Sequence, residues 1–156
     1  TIVNKKDPQE DNPTCNCRNP TTCPLDGKCL SSEIVYQATV IREDNSNQET
    51  YIGLTETPFK SRYNNHTNSF RNENKRHSTT LSQYIWTLKD NNIQYSVKWK
   101  IIAKGSAYST SSKCCNLCHR EKYFIICQPQ LATLNSRNEL ASVCRHRRKH
   151  LLSSYR

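Results

Sequence analysis

The sequence predicts an α+β fold, a small three-stranded antiparallel sheet flanked by helices in an α/β sandwich, with cysteine and histidine additions that bind zinc. Three observations point there. Apolar periodicity alternates between strand and helix in the order strand, strand, helix, helix, strand, helix. The apolar fraction is 34% over 156 residues, against nine cysteines. Typical domains reach roughly 45–50% with glycine counted, so this core is thin and calls for metal or disulfide help. Finally, Tyr51-Ile52-Gly53 reads as a strand ending in a glycine, followed by a turn and a helix that carries Arg62 and His66 four residues apart. Side chains at that spacing share one helix face, so a tyrosine, an arginine and a histidine can converge on one phosphate-sized spot.

Each element has a local reason. Residues 1–13 are polar and charged without apolar period and are expected to be a flexible linker or tail. Residues 14–32 hold Cys15, Cys17, Cys23 and Cys29 between turn formers such as Asn19-Pro20 and Asp26-Gly27. A core follows over 33–136. The β-branched run at 34–41 is a strand, and 51–54 is its hairpin partner across the polar stretch 43–47. Thr57 can cap a helix with Pro58 at its first position, running to about residue 70. Leu81, Tyr84, Ile85 and Leu88 recur at helical spacing, giving a helix over 80–89. Tyr95, Val97, Trp99 and Ile101 alternate with polar neighbours, so 94–103 is the third strand. A helix over 111–127 carries Glu121. Residues 137–156 read as a basic helical segment associated with zinc.

The formal net charge is +10, which suits a polyanionic partner, nucleic acid first. No run is apolar enough to span a bilayer and no signal-peptide core is visible, so no membrane partner and no secretion are expected. The odd cysteine count would leave one thiol over if all the others paired, and a reducing compartment favours metal. Methionine is absent, and the chain is expected to be a piece of a longer polypeptide. Asn65-His66-Thr67 is formally a glycosylation sequon, but nothing else points to export.

Two sets of residues have the types and spacing of zinc ligands, which come four to a tetrahedron. The Cys-x-x-Cys pair Cys115 and Cys118 has Cys144 and His146 downstream, with His150 as an alternative fourth ligand. Cys15, Cys17, Cys23 and Cys29 are a possible second zinc site, or a pair of disulfides in an exported protein. A structural zinc contributes ~10–16 kcal/mol to folding, enough to offset a thin core.

The Tyr51-Ile52-Gly53 element, the tyrosine at the end of Ile34-Val35-Tyr36, the Arg62/His66 pair and a later helix bearing Glu121 together resemble the core of the GIY-YIG endonucleases. The first element lacks the family's glycine, and the loop between the two is longer than usual. The resemblance implies hydrolysis of DNA phosphodiester bonds with one divalent metal, Mg²⁺ or Mn²⁺, held by Glu121. It implies that Arg62 stabilises charge on the phosphate, that Tyr36 and Tyr51 orient or deprotonate the attacking water, and that His66, His77 and Asn135 support the site. A tyrosine of pKa ~10 is a poor base at neutral pH, so a nearby cation must lower it. Lys60 is a candidate for assisting the water or contacting DNA, and Arg145, Arg147, Arg148 and Lys149 for gripping the backbone. Taken singly, these residues also suit sheet packing or a solvated helix face.

A narrower likeness runs through Cys23-Pro24-Leu25, the string from Thr57 to His66, Cys115-Asn116-Leu117-Cys118, and Leu134 through His146. It is similar to the endonuclease domain of Penelope-like retroelements. That resemblance implies nicking of target DNA so that a 3′-hydroxyl primes reverse transcription. It also implies an upstream reverse transcriptase domain and element RNA as partners, in the nucleus or in cytoplasm and nucleus of a eukaryotic host. Two competing readings are a catalytically silent, domesticated DNA-binding zinc protein and a zinc-stapled protein-interaction module.

Overall fold

The computed structural model describes residues 14–44, 47–105 and 115–135. The expected tail over 1–13 and basic segment over 137–156 lie outside the described residues. Three strands, β1 (Ile34–Arg42), β2 (Gln48–Thr55) and β3 (Tyr95–Lys104), form one antiparallel sheet in the order β2-β1-β3. The helices are α1 (Phe59–Arg71), α2 (Thr80–Asp90) and α3 (Asn116–Cys127). The predicted order of elements is the observed one. No described helix is long and apolar enough to cross a membrane.

β1 is the centre strand, and its successive side chains point to opposite faces of the sheet. Ile34, Tyr36, Ala38 and Val40 enter a core with Phe59 and Phe70 of α1 and Leu81, Ile85 and Leu88 of α2. Val35 enters the opposite core with Ile52, Cys115, Leu117 and Ala132. The sheet therefore has α1 and α2 on one face and α3 on the other. α2 starts as its sequence implies, because the Thr79 hydroxyl accepts from the Ser82 N–H at 3.0 Å.

α1 starts differently from the expectation. Pro58 occupies the cap position with no side-chain bond, and the helix opens at Phe59. Thr57, the expected cap, instead places its hydroxyl 3.1 Å from that of Thr55. The first N–H groups of the helix donate to main-chain carbonyls of the cysteine segment, Phe59 to Ser31 at 2.9 Å and Lys60 to Cys29 at 2.8 Å. Tertiary contact thus supplies the cap that a side chain would have supplied.

Gly53 also departs from expectation. It lies inside β2, which continues to Thr55, and faces Tyr36 across the ladder. A Cβ at Gly53 would lie 2.4 Å from the Tyr36 hydroxyl oxygen, so the glycine makes room for that ring. The outer edge of β2 is closed by the chain after α3. The Leu134 N–H donates to the Thr50 carbonyl at 2.8 Å. The Asn135 side chain takes both main-chain groups of Ile52, accepting at 2.8 Å and donating at 2.9 Å.

Gly53→Ala should therefore cost about 1–3 kcal/mol by overpacking, measured by urea unfolding. Adding Tyr36→Phe should return little of it, because the ring carbon Cζ would still lie 2.5 Å from that Cβ. An alanine variant as stable as the native chain would refute this account of the glycine.

Candidate functional site

Tyr36, His66 and Arg62 form a connected polar group under the α1 face. Tyr36 is fully buried and His66 is 2% exposed. The Tyr36 hydroxyl lies 2.7 Å from His66 Nε2, and Arg62 Nε donates to the same hydroxyl at 3.2 Å. Arg62 also bonds Tyr51, whose ring centroid sits 5.9 Å from that of His66. The i,i+4 pair on α1 and the tyrosines of β1 and β2 converge as the spacing predicts.

Burial dominates the electrostatics. It pushes the Tyr36 phenol up to about 12; Arg62 pulls the other way and Glu121 adds to the rise. Burial, helped by the Arg62 charge, pushes His66 down to about 3. Tyr36 is therefore a neutral phenol and His66 a neutral imidazole near pH 7. The Tyr36 hydroxyl and His66 Nε2 share one hydrogen bond whose direction is set by the imidazole tautomer, the phenol donating when Nδ1 carries the ring proton. At Tyr36 the Arg62 charge does lower the phenol, as expected of a nearby cation, but desolvation of the fully buried phenolate outweighs it.

Glu121, half-buried on α3, is near enough to act on the Tyr36 hydroxyl electrostatically. One carboxylate beside a polar cluster fits Mg²⁺, which keeps most of its waters and takes one or two protein carboxylates. Asn135 is a positioning residue in this arrangement, since its amide holds Ile52, the neighbour of Tyr51. His77 lies exposed in the turn between α1 and α2 and makes no hydrogen bond to the tyrosine–histidine–arginine group. The Lys60 ammonium bonds Asn16 of the cysteine segment.

Trp99 is a member of the site that sequence reasoning missed. Its ring lies 5.3 Å from His66, 5.9 Å from Tyr36, 5.6 Å from Phe59 and 5.8 Å from Tyr63. Alternation along β3 places Trp99 on the core face, and its pairing with Ala38 sets it beside Tyr36. The pairing register, the missing piece, is not a local signal.

The second centre is the expected set Cys15, Cys17, Cys23 and Cys29, whose Sγ atoms all lie within 4.8 Å of one another. Cys15 and Cys29 approach to 3.5 Å, and Cys17 and Cys29 to 3.7 Å. Zn–S bonds of about 2.3 Å give a tetrahedral edge of about 3.8 Å, so four cysteines that could hold a metal ion have the dimensions of structural zinc. These separations are far from the S–S bond length of about 2.05 Å, and all seven described cysteines are free thiols. Asp26 and Gly27 take positive φ, 50° and 87°, and curl the chain around Cys23. Burial raises the Cys23 thiol, but N–H bonds from Leu25 and Gly27 outweigh it and bring it to about 6. The Cys15 contact instead pushes Cys17 up to about 12 and burial raises Cys29, so without a metal the cluster shares its protons unevenly.

Cys115 is buried at the start of α3, with Cys118 half-buried one turn on. Their expected partners Cys144, His146 and His150, and the basic Arg145, Arg147, Arg148 and Lys149, lie outside the described residues. Comparison with known family models, curated proteins and solved structures finds no match.

His66 gives the fold an acid sensitivity. The unfolded chain takes up its proton near pH 6.5 and the folded chain only near 3, so the unfolded state binds more protons between those values. Stability should fall as pH drops through this window, by up to about 1.4 kcal/mol per pH unit. Urea unfolding of native chain and His66→Gln between pH 6.5 and 5 should show a steeper loss in the native chain. Equal slopes would mean that His66 is charged in the fold.

Proposed function

We propose that this chain is a divalent-metal-dependent DNA endonuclease of the GIY-YIG type, nearest in likeness to the endonuclease domain of a Penelope-like retrotransposon. It nicks one strand and leaves a 3′-hydroxyl for target-primed reverse transcription. Its partners are then DNA, the reverse transcriptase domain of the same polyprotein and the element RNA, and it works in the nucleus, or in cytoplasm and nucleus, of a eukaryotic host. The observation that carries this reading is the convergence of Arg62, Tyr36, His66 and Tyr51 on one spot with Glu121 in electrostatic reach.

The bound Mg²⁺ on Glu121 would supply Lewis-acid neutralisation of phosphate charge. The protein's own groups do the rest. Tyr36 is fully buried, so its hydroxyl does not meet the attacking water; it holds His66 and the Arg62 guanidinium in place beneath the site. Arg62 presents its remaining N–H groups to the phosphate in a planar fork.

β3 offers a grip for the duplex. Lys98 and Lys100 are exposed on one side of this edge strand and have no carboxylate partner among the described residues. They border an open depression of about 320 Å³ with Thr39, Ile41, Gln48 and Trp99. Two residues apart on a strand, they stand roughly 6.6 Å from each other, close to the spacing of successive phosphates along an extended strand.

Incubated with supercoiled plasmid and Mg²⁺, the zinc-loaded native chain should produce open circles. Arg62→Ala and Glu121→Ala should each cut about 10²–10³ more slowly. Equal cutting by all three, or none by a folded chain that binds DNA, would sink this reading. Lys98→Ala/Lys100→Ala should flatten the slope of log K against log salt by about 1.8; an unchanged slope would take DNA off β3.

A further inference from the structure

We propose that a metal held by Cys15, Cys17, Cys23 and Cys29 positions the catalytic helix α1, so that its occupancy governs where Arg62 stands. The effect on cleavage rests on the endonuclease reading; the structural coupling does not.

The helix has no side-chain cap of its own. Its first two N–H groups are accepted by Cys29, one of the four ligands, and by Ser31 two residues further on. A third tie joins the Lys60 ammonium to Asn16, which lies between Cys15 and Cys17. A fourth contact is apolar: Leu25, between Cys23 and Cys29, is buried in the core that also holds Phe59. Every segment between ligands except the turn after Cys17 therefore touches α1 or the core that α1 covers.

The cysteine segment has little else to order it. Its one regular element is the three-residue 3₁₀ turn Pro20–Thr22, which buries nothing. Its buried side chains are Cys23, Leu25 and Cys29, two of them ligands. Such a segment depends on its metal for order. If the metal leaves, the carbonyls of Cys29 and Ser31 drift and the first turn of α1 loses its acceptors. Arg62 follows Phe59 by three residues and lies in that first turn. His66 sits a turn further in, buried against Tyr36, Phe70 and Trp99. Metal loss should therefore release Arg62 from the Tyr36 hydroxyl first and leave the His66 contact in place.

The test is amide hydrogen exchange on the whole chain, zinc-loaded and chelator-stripped, with zinc content measured. Amides of residues 59–62 should exchange at least about tenfold faster after stripping, those of α2 should be unchanged, and added Zn²⁺ should restore protection. Unchanged exchange at 59–62 in the stripped chain would overturn the proposal. If stripping unfolds the whole chain, reciprocity decides instead, because coupling acts equally in both directions. Lys60→Gly weakens the start of α1 and removes the tie to Asn16 without touching a ligand. It should lower Zn²⁺ affinity by about three- to tenfold in competition with a chromophoric chelator, and an unaltered affinity would overturn the proposal. Plasmid nicking by the same samples separates the two ideas. A zinc-dependent α1 in a chain that never cuts DNA would keep the coupling and reject the nuclease reading.

Discussion

The hydroxyl of Tyr36 is the point on which this structure turns. It belongs to a fully buried side chain in the centre strand of the sheet, where a phenol without partners would cost several kcal/mol. Its two partners, His66 and Arg62, both come from α1, so α1 must cross the sheet where its i,i+4 face meets β1. The ring must also reach across β2, which is possible only because residue 53 has no Cβ. Satisfying one hydroxyl thus ties together a strand pairing, a glycine and the seating of a helix. No buried side-chain nitrogen or oxygen among the described residues is left without a partner.

The same demand shapes the chemistry the site can offer. Desolvation keeps Tyr36 protonated and His66 neutral even with a guanidinium beside them. A cluster of neutral groups around one fixed cation is a poor place for an isolated proton and a good place for an anion. Phosphate answers that description, and Lys98 and Lys100 on β3, which have no carboxylate partner among the described residues, suit it as well.

The cysteine cluster addresses a different shortage. Two small cores lie on the two faces of a three-stranded sheet, each too small to order a long loop segment as well. Four thiols drawn within 4.8 Å organise residues 14–31 with almost no apolar burial, and the carbonyls so fixed become the cap of α1. The chain after α3 plays the corresponding part at the other end, where Asn135 and Leu134 hold the edge of β2 that carries Tyr51.

The β-branched run at 34–41, the alternation in 94–103, the Leu81–Ile85–Leu88 stripe, the Arg62/His66 spacing and the set of four cysteines were legible in the sequence. Each is a local pattern, governed by the period of a strand, the turn of a helix or the short loops between ligands. Tertiary structure alone decided the rest: that Gly53 faces Tyr36 from within β2, that α1 is capped by Cys29 and Ser31 and not by Thr57, and that Trp99 closes over His66. It alone decided that Asn135 spends its amide on Ile52, and that the Tyr36 phenol rises despite Arg62. These depend on pairing register and desolvation, which are set by residues distant in the chain and leave no periodic trace in it.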